Sequence, residues 1–124
     1  MEFAAMRTEN QPELADLTET AIEMLSKNDK GYYLMVEAGR IDHAHHGSAA
    51  NLALNDTVAL SKAVKRALEL VDLKDTLIIV TADHSHTFTM AGYPKRGNPI
   101  LGLVSGPNMA EGEYIMALDG KPYT

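Results

Sequence analysis

The first third of the chain has a hydrophobic pattern with helical spacing. In NQPELADLTETAIEMLSKNDKG the apolar positions recur every three or four residues, at Leu14, Leu17, Ala21, Ile22 and Leu25. Pro12 suits a first helical turn, and Glu13 lies early, where the helix dipole favours an acidic group. The residues from Asn28 to Gly31 are typical of the end of a helix. This pattern predicts an amphipathic helix.

The middle of the chain alternates strand-like and helix-like patterns. YYLMVEA, residues 32–38, is a short apolar run that favours a buried strand, and TLIIVTAD, residues 76–83, is a β-branched run typical of a central strand. Between them, residues 48–71 carry a wide apolar stripe at helical spacing. The order helix, strand, helix, strand predicts an α/β fold containing a βαβ unit with parallel strands and a right-handed crossover.

The pattern is weaker after residue 83. HTFTMAGYP, residues 86–94, is compatible with a short strand and turn. NPILGLVSGP and EYIMALDGKPY are compatible with strands or strand ends between loops. The sequence has no internal repeat, and its 124 residues suffice for one small domain with its own core.

Charge and composition narrow the functional classes. The formal net charge of -6 argues against a nucleic-acid-binding surface. The absence of cysteine excludes disulfides and thiolate metal sites, so any metal must bind through histidine or carboxylate groups. No apolar run approaches the roughly 20 residues of a membrane span. The opening MEFAAMRTEN has charges and no long apolar stretch, and it is not expected to be a signal peptide.

Potential metal ligands gather where the two predicted strands end. Glu37 ends the first strand and is followed by Asp42 and His46, while Asp83 and His84 end the second strand. The carboxyl ends of parallel strands meet at one edge of a sheet. We therefore expect both groups, together with His86 just beyond, to face a single crevice.

The residue types and their spacing favour metal binding. Asp42 and His46 are four positions apart, which places them on one side of a helical turn, as two corners of a tetrahedral zinc site require. Glu37 is an oxygen donor that suits magnesium. Taken singly, each residue also has an ordinary structural explanation. A histidine such as His43 or His45 is commonly a surface residue, Asp83 suits a helix N-cap, and Glu37 suits a solvated strand end.

The two motifs together resemble a known family. VEAGRIDHAHH, followed by DTLIIVTADHSHTFTMAGYPKRGNPILG, closely resembles the alkaline phosphatase family, from about Pro12 to Gly102 and more faintly to Thr124. The resemblance implies an alkaline phosphatase-like three-layer α/β sandwich. Residues 1–124 would form a single partial domain of its catalytic part, with a partial, mostly parallel sheet and flanking helices.

The resemblance also implies an activity and a set of metal ligands. Members hydrolyse phosphate monoesters with two zinc ions, one magnesium ion and a phosphoserine intermediate. By position, Glu37 matches the magnesium ligand, Asp42 and His46 match ligands of the first zinc, and Asp83 and His84 match ligands of the second zinc.

The remaining histidines match supporting positions. His86 matches a histidine that supports the first-zinc aspartate, His43 matches a position near the phosphate and magnesium, and His45 is not expected to be a ligand. The Asp-Ser-Ala motif with the nucleophilic serine is not in this sequence, nor is the family's phosphate-binding arginine. The resemblance therefore implies a fragment of a longer chain that carries no catalytic nucleophile and is inactive in isolation.

The resemblance further implies a homodimeric parent protein that is periplasmic or secreted and takes a phosphate monoester as substrate. Two alternatives remain at this point. One is a phosphodiesterase or sulfatase of the same superfamily, and the other is a non-catalytic metal-binding module.

Overall fold

The computed structural model describes residues 1–89 and 93–122, and the chain divides into two compact units, Met1–His86 and Thr87–Thr124. The first unit contains a short 3-10 helix, Ala4–Met6, and three α-helices. These are α1, Leu14–Leu25; α2, Arg40–His46; and α3, Ala50–Leu70. The expectation of one partial domain over residues 1–124 stays a prediction.

The first helix forms where its hydrophobic pattern predicts it. It begins at Leu14, so Pro12 lies just before the helix rather than in its first turn. Asp16 accepts a hydrogen bond at 2.8 Å from the backbone N–H of Glu13, the residue that precedes the helix. This contact satisfies a donor that the helix cannot pair internally, and it fixes the helix start.

The histidine-rich stretch forms a helix of its own. Residues 40–46 are helical as α2, and α3 starts only at Ala50, so the predicted helix over residues 48–71 opens two residues late. Ser48 separates the two helices with a φ of 52°, a left-handed conformation that few non-glycine residues adopt. The change of direction at Ser48 allows α2 and α3 to differ in orientation while they pack on each other.

The first and third helices pack side by side and run in the same direction. Lys62 of α3 lies 3.8 Å from Glu13 at the start of α1, and Arg66, one turn later, pairs with Glu19. The later residue of α3 thus contacts the later residue of α1, which occurs when the two helices run in the same direction. This is the relation expected of helices that precede successive parallel strands.

Small side chains dominate the core of the first unit. The buried apolar residues of this unit are Leu14, Ile22, Ala44, Ala53, Ala59 and Ala63. Because alanine projects little, helices that meet through it approach closely and bury little area per contact. Asp56 is also buried, and one of its oxygens accepts a hydrogen bond at 3.0 Å from the Ala4 N–H, which holds the 3-10 helix against α3.

The predicted partial parallel sheet is not confirmed. Within residues 1–89 and 93–122 no strand is assigned, and residues 32–38 and 77–82 have neither helical nor strand pairing. Tyr33 is 86% exposed and Leu77 83% exposed, whereas the hydrophobic pattern predicted buried strands. A strand requires neighbours for its backbone N–H and C=O groups, and the described residues do not provide them here. An apolar pattern indicates that a segment is suited to burial, but it does not identify the other part of the protein against which the segment packs.

The second unit has turns and a few backbone hydrogen bonds between residues that are distant in sequence. The N–H of Lys95 donates to the Ser105 carbonyl at 2.8 Å, and the N–H of Ile115 donates to the Val104 carbonyl at 2.8 Å. An isolated antiparallel bridge joins Met116 and Pro122. This is the extent of β pairing among the described residues of the predicted strand segments. The turn predicted within residues 86–94 falls partly on residues 90–92, outside the described part of the chain.

Candidate metal centre

One face of α2 presents two of the predicted ligands. Asp42 and His46 lie one helical turn apart, and Nε2 of His46 is 3.4 Å from Oδ2 of Asp42. Ala44, midway between them in sequence, points to the opposite side of the helix and is 1% exposed. Burial of Ala44 therefore turns the Asp42–His46 face away from the core.

The segment before Thr87 brings a third group to the same face. Nε2 of His86 is 3.6 Å from Oδ1 of Asp42. The ligand atoms of Asp42, His46 and His86 all lie within 4.8 Å of one another, and the three residues are suited to holding a metal ion. All three belong to the first unit. The structure thus brings together two segments that the sequence expected to face one crevice.

Asp83 and His84 lie at the edge of this cluster. Nε2 of His84 is 3.3 Å from Oδ2 of Asp83 and 4.0 Å from Oδ1 of Asp42. The pKa of His84 is raised above its ordinary value, first by a hydrogen bond to the Ser85 carbonyl and then by the negative charges of Asp83 and Asp42. Both side chains are largely exposed, so Asp83 and His84 are accessible from solvent.

The imidazole rings hold one another in place. The ring of His86 is stacked on His45 with centroids 4.9 Å apart and planes inclined by 16°, and it meets the edge of His46 at 4.8 Å. Two neighbouring rings therefore restrict the orientation of His86. His45, which the sequence did not favour as a ligand, has this packing role, and no pattern in the sequence signals it.

Two buried polar atoms of the cluster have no hydrogen-bond partner among the described residues. They are Oδ1 of Asp42 and Nδ1 of His86. A buried polar atom without a partner costs free energy, and a cation beside the carboxylate would offset that cost for Asp42. One carboxylate with two imidazoles is also a donor set typical of zinc. By both criteria the residues fit a metal ion.

Glu37 and His43 do not join this cluster. They line a separate cavity of about 290 Å³, together with Arg7, Arg40 and the buried Asp56. Arg40 is turned toward the N-terminal segment, where its Nε donates to the Met1 carbonyl at 2.6 Å and its guanidinium lies 4.9 Å from the Phe3 ring centre. The expected magnesium ligand therefore lines a cavity to which none of the expected zinc ligands contributes.

Comparison with known proteins places the chain in a family. Residues 1–122 match the family described as alkaline phosphatase. The chain is 48% identical over 113 residues to the tissue-nonspecific isozyme of alkaline phosphatase from Felis catus, which covers 91% of this chain and 20% of that protein. It is 47% identical over 116 residues to the corresponding isozyme from Gallus gallus, which covers 94% of this chain and 21% of that protein.

A third relative comes from an insect. The membrane-bound alkaline phosphatase of Bombyx mori is 48% identical over 94 residues, or 76% of this chain and 17% of that protein. The histidine–carboxylate cluster offers a set of ligands that could hold a metal ion. The chain belongs to the alkaline phosphatase family, and it spans about a fifth of the length of the curated relatives that it matches. No helix within the described residues is long and apolar enough to cross a membrane.

Proposed function

We propose that this chain is the metal-binding segment of an alkaline phosphatase, an enzyme that hydrolyses phosphate monoesters with two zinc ions, one magnesium ion and a phosphoserine intermediate. In this proposal the nucleophilic serine belongs to a part of the enzyme outside the given sequence. The observation that carries the proposal is the convergence of Asp42, His46 and His86 in a chain that matches the alkaline phosphatase family over residues 1–122.

Each ligand has a proposed role. Asp42 and His46 hold the first zinc ion, Asp83 and His84 hold the second, and Glu37 holds magnesium. The first pair is supported by the 3.4 Å separation of its ligand atoms, and the second by the 3.3 Å between Nε2 of His84 and Oδ2 of Asp83. Bound zinc would supply positive charge that stabilises the phosphoryl group as its bond to the leaving oxygen breaks.

Residues of this chain are proposed to hold the metal ions and to line the site where the phosphate binds. Asp42 contributes negative charge beside three imidazoles, which offsets the cost of concentrating cations there. α2 places Asp42 and His46 one helical turn apart, which reduces the backbone ordering that is required when they bind an ion. His43 and Arg40 line the cavity that also contains Glu37, and His43 is proposed to lie near the substrate phosphate.

The proposal is tested by grafting the chain into a complete relative. Residues of this chain would replace the matched 116-residue stretch of the Gallus gallus protein, to which it is 47% identical. We expect hydrolysis of an aryl phosphate that a chelator abolishes and zinc restores. Asp42→Asn should remove the activity, whereas Glu23→Gln, an exposed change on α1, should leave it unchanged. A folded graft that binds zinc and hydrolyses no phosphate ester would refute the proposal.

The isolated chain gives a complementary test. Purified and supplied with zinc and magnesium, it should not hydrolyse the same aryl phosphate, because the proposed nucleophile is not part of it. Chelator-sensitive turnover by the isolated chain would contradict this division of the active site.

The wider setting of the enzyme is also a proposal. We propose a homodimer that is periplasmic or secreted and that binds no nucleic acid, in line with the net charge of -6. Size-exclusion chromatography of the complete protein and its distribution between cell fractions would test the first two points.

A further inference from the structure

We infer that the second unit carries a binding site for a small organic anion, a molecule in which an oxyanion is attached to an apolar body. The site is a cavity of about 250 Å³ whose lining includes Lys95, Pro99, Leu103, Ser105 and Tyr114. All of these residues belong to the second unit, whereas the candidate metal centre belongs to the first. The inference therefore goes beyond the proposed function and does not depend on it.

The hydroxyl group of Ser105 lacks a bonding partner. Ser105 is 5% exposed, and its Oγ is buried without a hydrogen-bond partner among the described residues. A buried hydroxyl group in this condition raises the free energy of the folded chain. Because Ser105 also lines the cavity, a ligand there that accepts a hydrogen bond from Oγ would remove this penalty.

Lys95 supplies positive charge to the cavity. Its side chain is half-buried, and no ion pair within the described residues neutralises it, whereas Lys62 and Arg66 in the first unit are paired with glutamates. Glu111 and Glu113 are exposed and do not line the cavity. An ammonium group partly removed from water attracts an anion more strongly than a fully solvated one does. The charge therefore favours an anionic ligand over a neutral one.

Hydrogen bonds hold the walls of this cavity in place. The N–H of Lys95 donates to the Ser105 carbonyl at 2.8 Å, and the N–H of Ser105 donates to Oδ1 of Asn98 at 3.0 Å. The N–H of Ile115 donates to the Val104 carbonyl at 2.8 Å, which connects the segment that carries Tyr114 to the one that carries Ser105. A cavity with walls fixed in this way requires little further ordering when a ligand enters it.

The volume and the lining define the class of ligand. An apolar cavity of roughly 150 Å³ is large enough for benzene, so about 250 Å³ accommodates an aromatic ring together with an oxyanion. Pro99, Leu103 and the ring of Tyr114 offer apolar contacts to the body of the ligand. Lys95 and Ser105 offer the charge and the hydroxyl donor that a phosphate or a carboxylate group binds.

Nuclear magnetic resonance titrations of the complete 124-residue chain, freed of metal with a chelator, test the site. The probes are phenylphosphonate and benzoate, with benzyl alcohol as a neutral molecule of similar shape. We expect the backbone signals of Lys95 and Ser105 to shift in a saturable way with at least one anion, and the tighter anion distinguishes a phosphate-like from a carboxylate-like ligand. The absence of saturable shifts with both anions, or equal affinity for benzyl alcohol, would overturn the inference.

Three variants test whether the named side chains bind the anion. Lys95→Gln removes the charge and Ser105→Ala removes the hydroxyl group, while Lys121→Gln is a matched control at an exposed lysine of the same unit that does not line the cavity. We expect the first two variants each to weaken binding by about ten-fold, because each loses a hydrogen bond to a charged group, and Lys121→Gln by less than about two-fold. Unchanged signals of Val104 and Ile115 would verify that the unit is folded. Unaltered affinity in either cavity variant, or an equal loss in Lys121→Gln, would overturn the inference.

Discussion

Zinc should stabilise the folded first unit strongly, and the size of the effect should depend on His86. Nε2 of His86 lies 3.6 Å from Oδ1 of Asp42, so the segment before Thr87 borders the face of α2 that carries Asp42 and His46. Zinc that binds the folded chain in preference to the unfolded one raises the free energy of unfolding. A residue that orients a metal ligand increases the affinity for the ion and therefore the size of this effect.

The change in zinc affinity gives the magnitude. Loss of a residue that supports a metal ligand costs about 10–100-fold in metal affinity, and each factor of ten corresponds to about 1.4 kcal/mol. When free zinc exceeds both dissociation constants, we therefore expect zinc to raise the free energy of unfolding by about 1.4–2.7 kcal/mol more in the unmodified chain than in His86→Gln. At a free zinc concentration 100 times the dissociation constant, the total gain for the unmodified chain should reach about 2.7 kcal/mol.

Urea unfolding followed by far-ultraviolet circular dichroism measures this difference. Both chains are unfolded with zinc and with a chelator. The dependence of the free energy of unfolding on urea concentration must be the same in all four experiments, so that differences in midpoint convert to differences in free energy. Glu23→Gln, an exposed change on α1, is the control and should keep the full zinc effect. Equal stabilisation of the unmodified chain and His86→Gln by zinc would refute the reasoning, because His86 would then contribute nothing to zinc binding.

Three further predictions concern the helical part of the first unit. Ile22→Ala should cost about 2–3 kcal/mol in urea unfolding, because it removes roughly three buried carbons, whereas the exposed Met24→Ala on the same helix should cost less than about 0.5 kcal/mol. The Arg66 hydrogen bonds lower the pKa of Glu19, so their stabilisation is present above the ordinary pKa of a glutamate and is lost as the pH falls through the lowered value. Glu19→Gln should thus lower the melting temperature at pH 7 and have little effect in strong acid; an equal effect at both pH values would contradict this pairing. Ser48→Gly should raise the free energy of unfolding, measured with urea, by about 0.5–1 kcal/mol, because glycine adopts a φ of 52° without strain. A lower free energy of unfolding would show that Ser48 is not strained.

The sequence predicted the helices more closely than the sheet. The spacing of Leu14 and Ile22 determines which side of α1 is buried, and that information is local. Residues 32–38 and 77–82 carry equally clear apolar patterns but form no paired strands in the described chain. Strand pairing depends on partners far away in sequence, which a single-chain pattern does not identify. The sequence also gave no sign of the break at Ser48, where the backbone takes a conformation that serine rarely adopts.

The candidate site was predictable in outline. The four-residue spacing of Asp42 and His46 indicated a shared helical face, and the structure has that face. The sequence also placed His86 at this edge, and the structure brings it there. That His86 joins Asp42 and His46, whereas Asp83 does not, depends on the path of the chain between the two motifs, about which spacing carries no information. For the same reason, the separate cavity that Glu37 lines was not foreseen.

The short length of α2 has a consequence for the timing of metal capture. A seven-residue helix forms and melts quickly, and it alone places Asp42 and His46 together. An ion can therefore be caught by this pair early, while His86 arrives only after the intervening chain has folded. Once His86 lies beside Asp42, it encloses this face of α2 on a further side, so an ion escapes only when the segment before Thr87 moves away. Uptake should then be fast and release slow, so that the residence time of the ion reports the integrity of the folded chain.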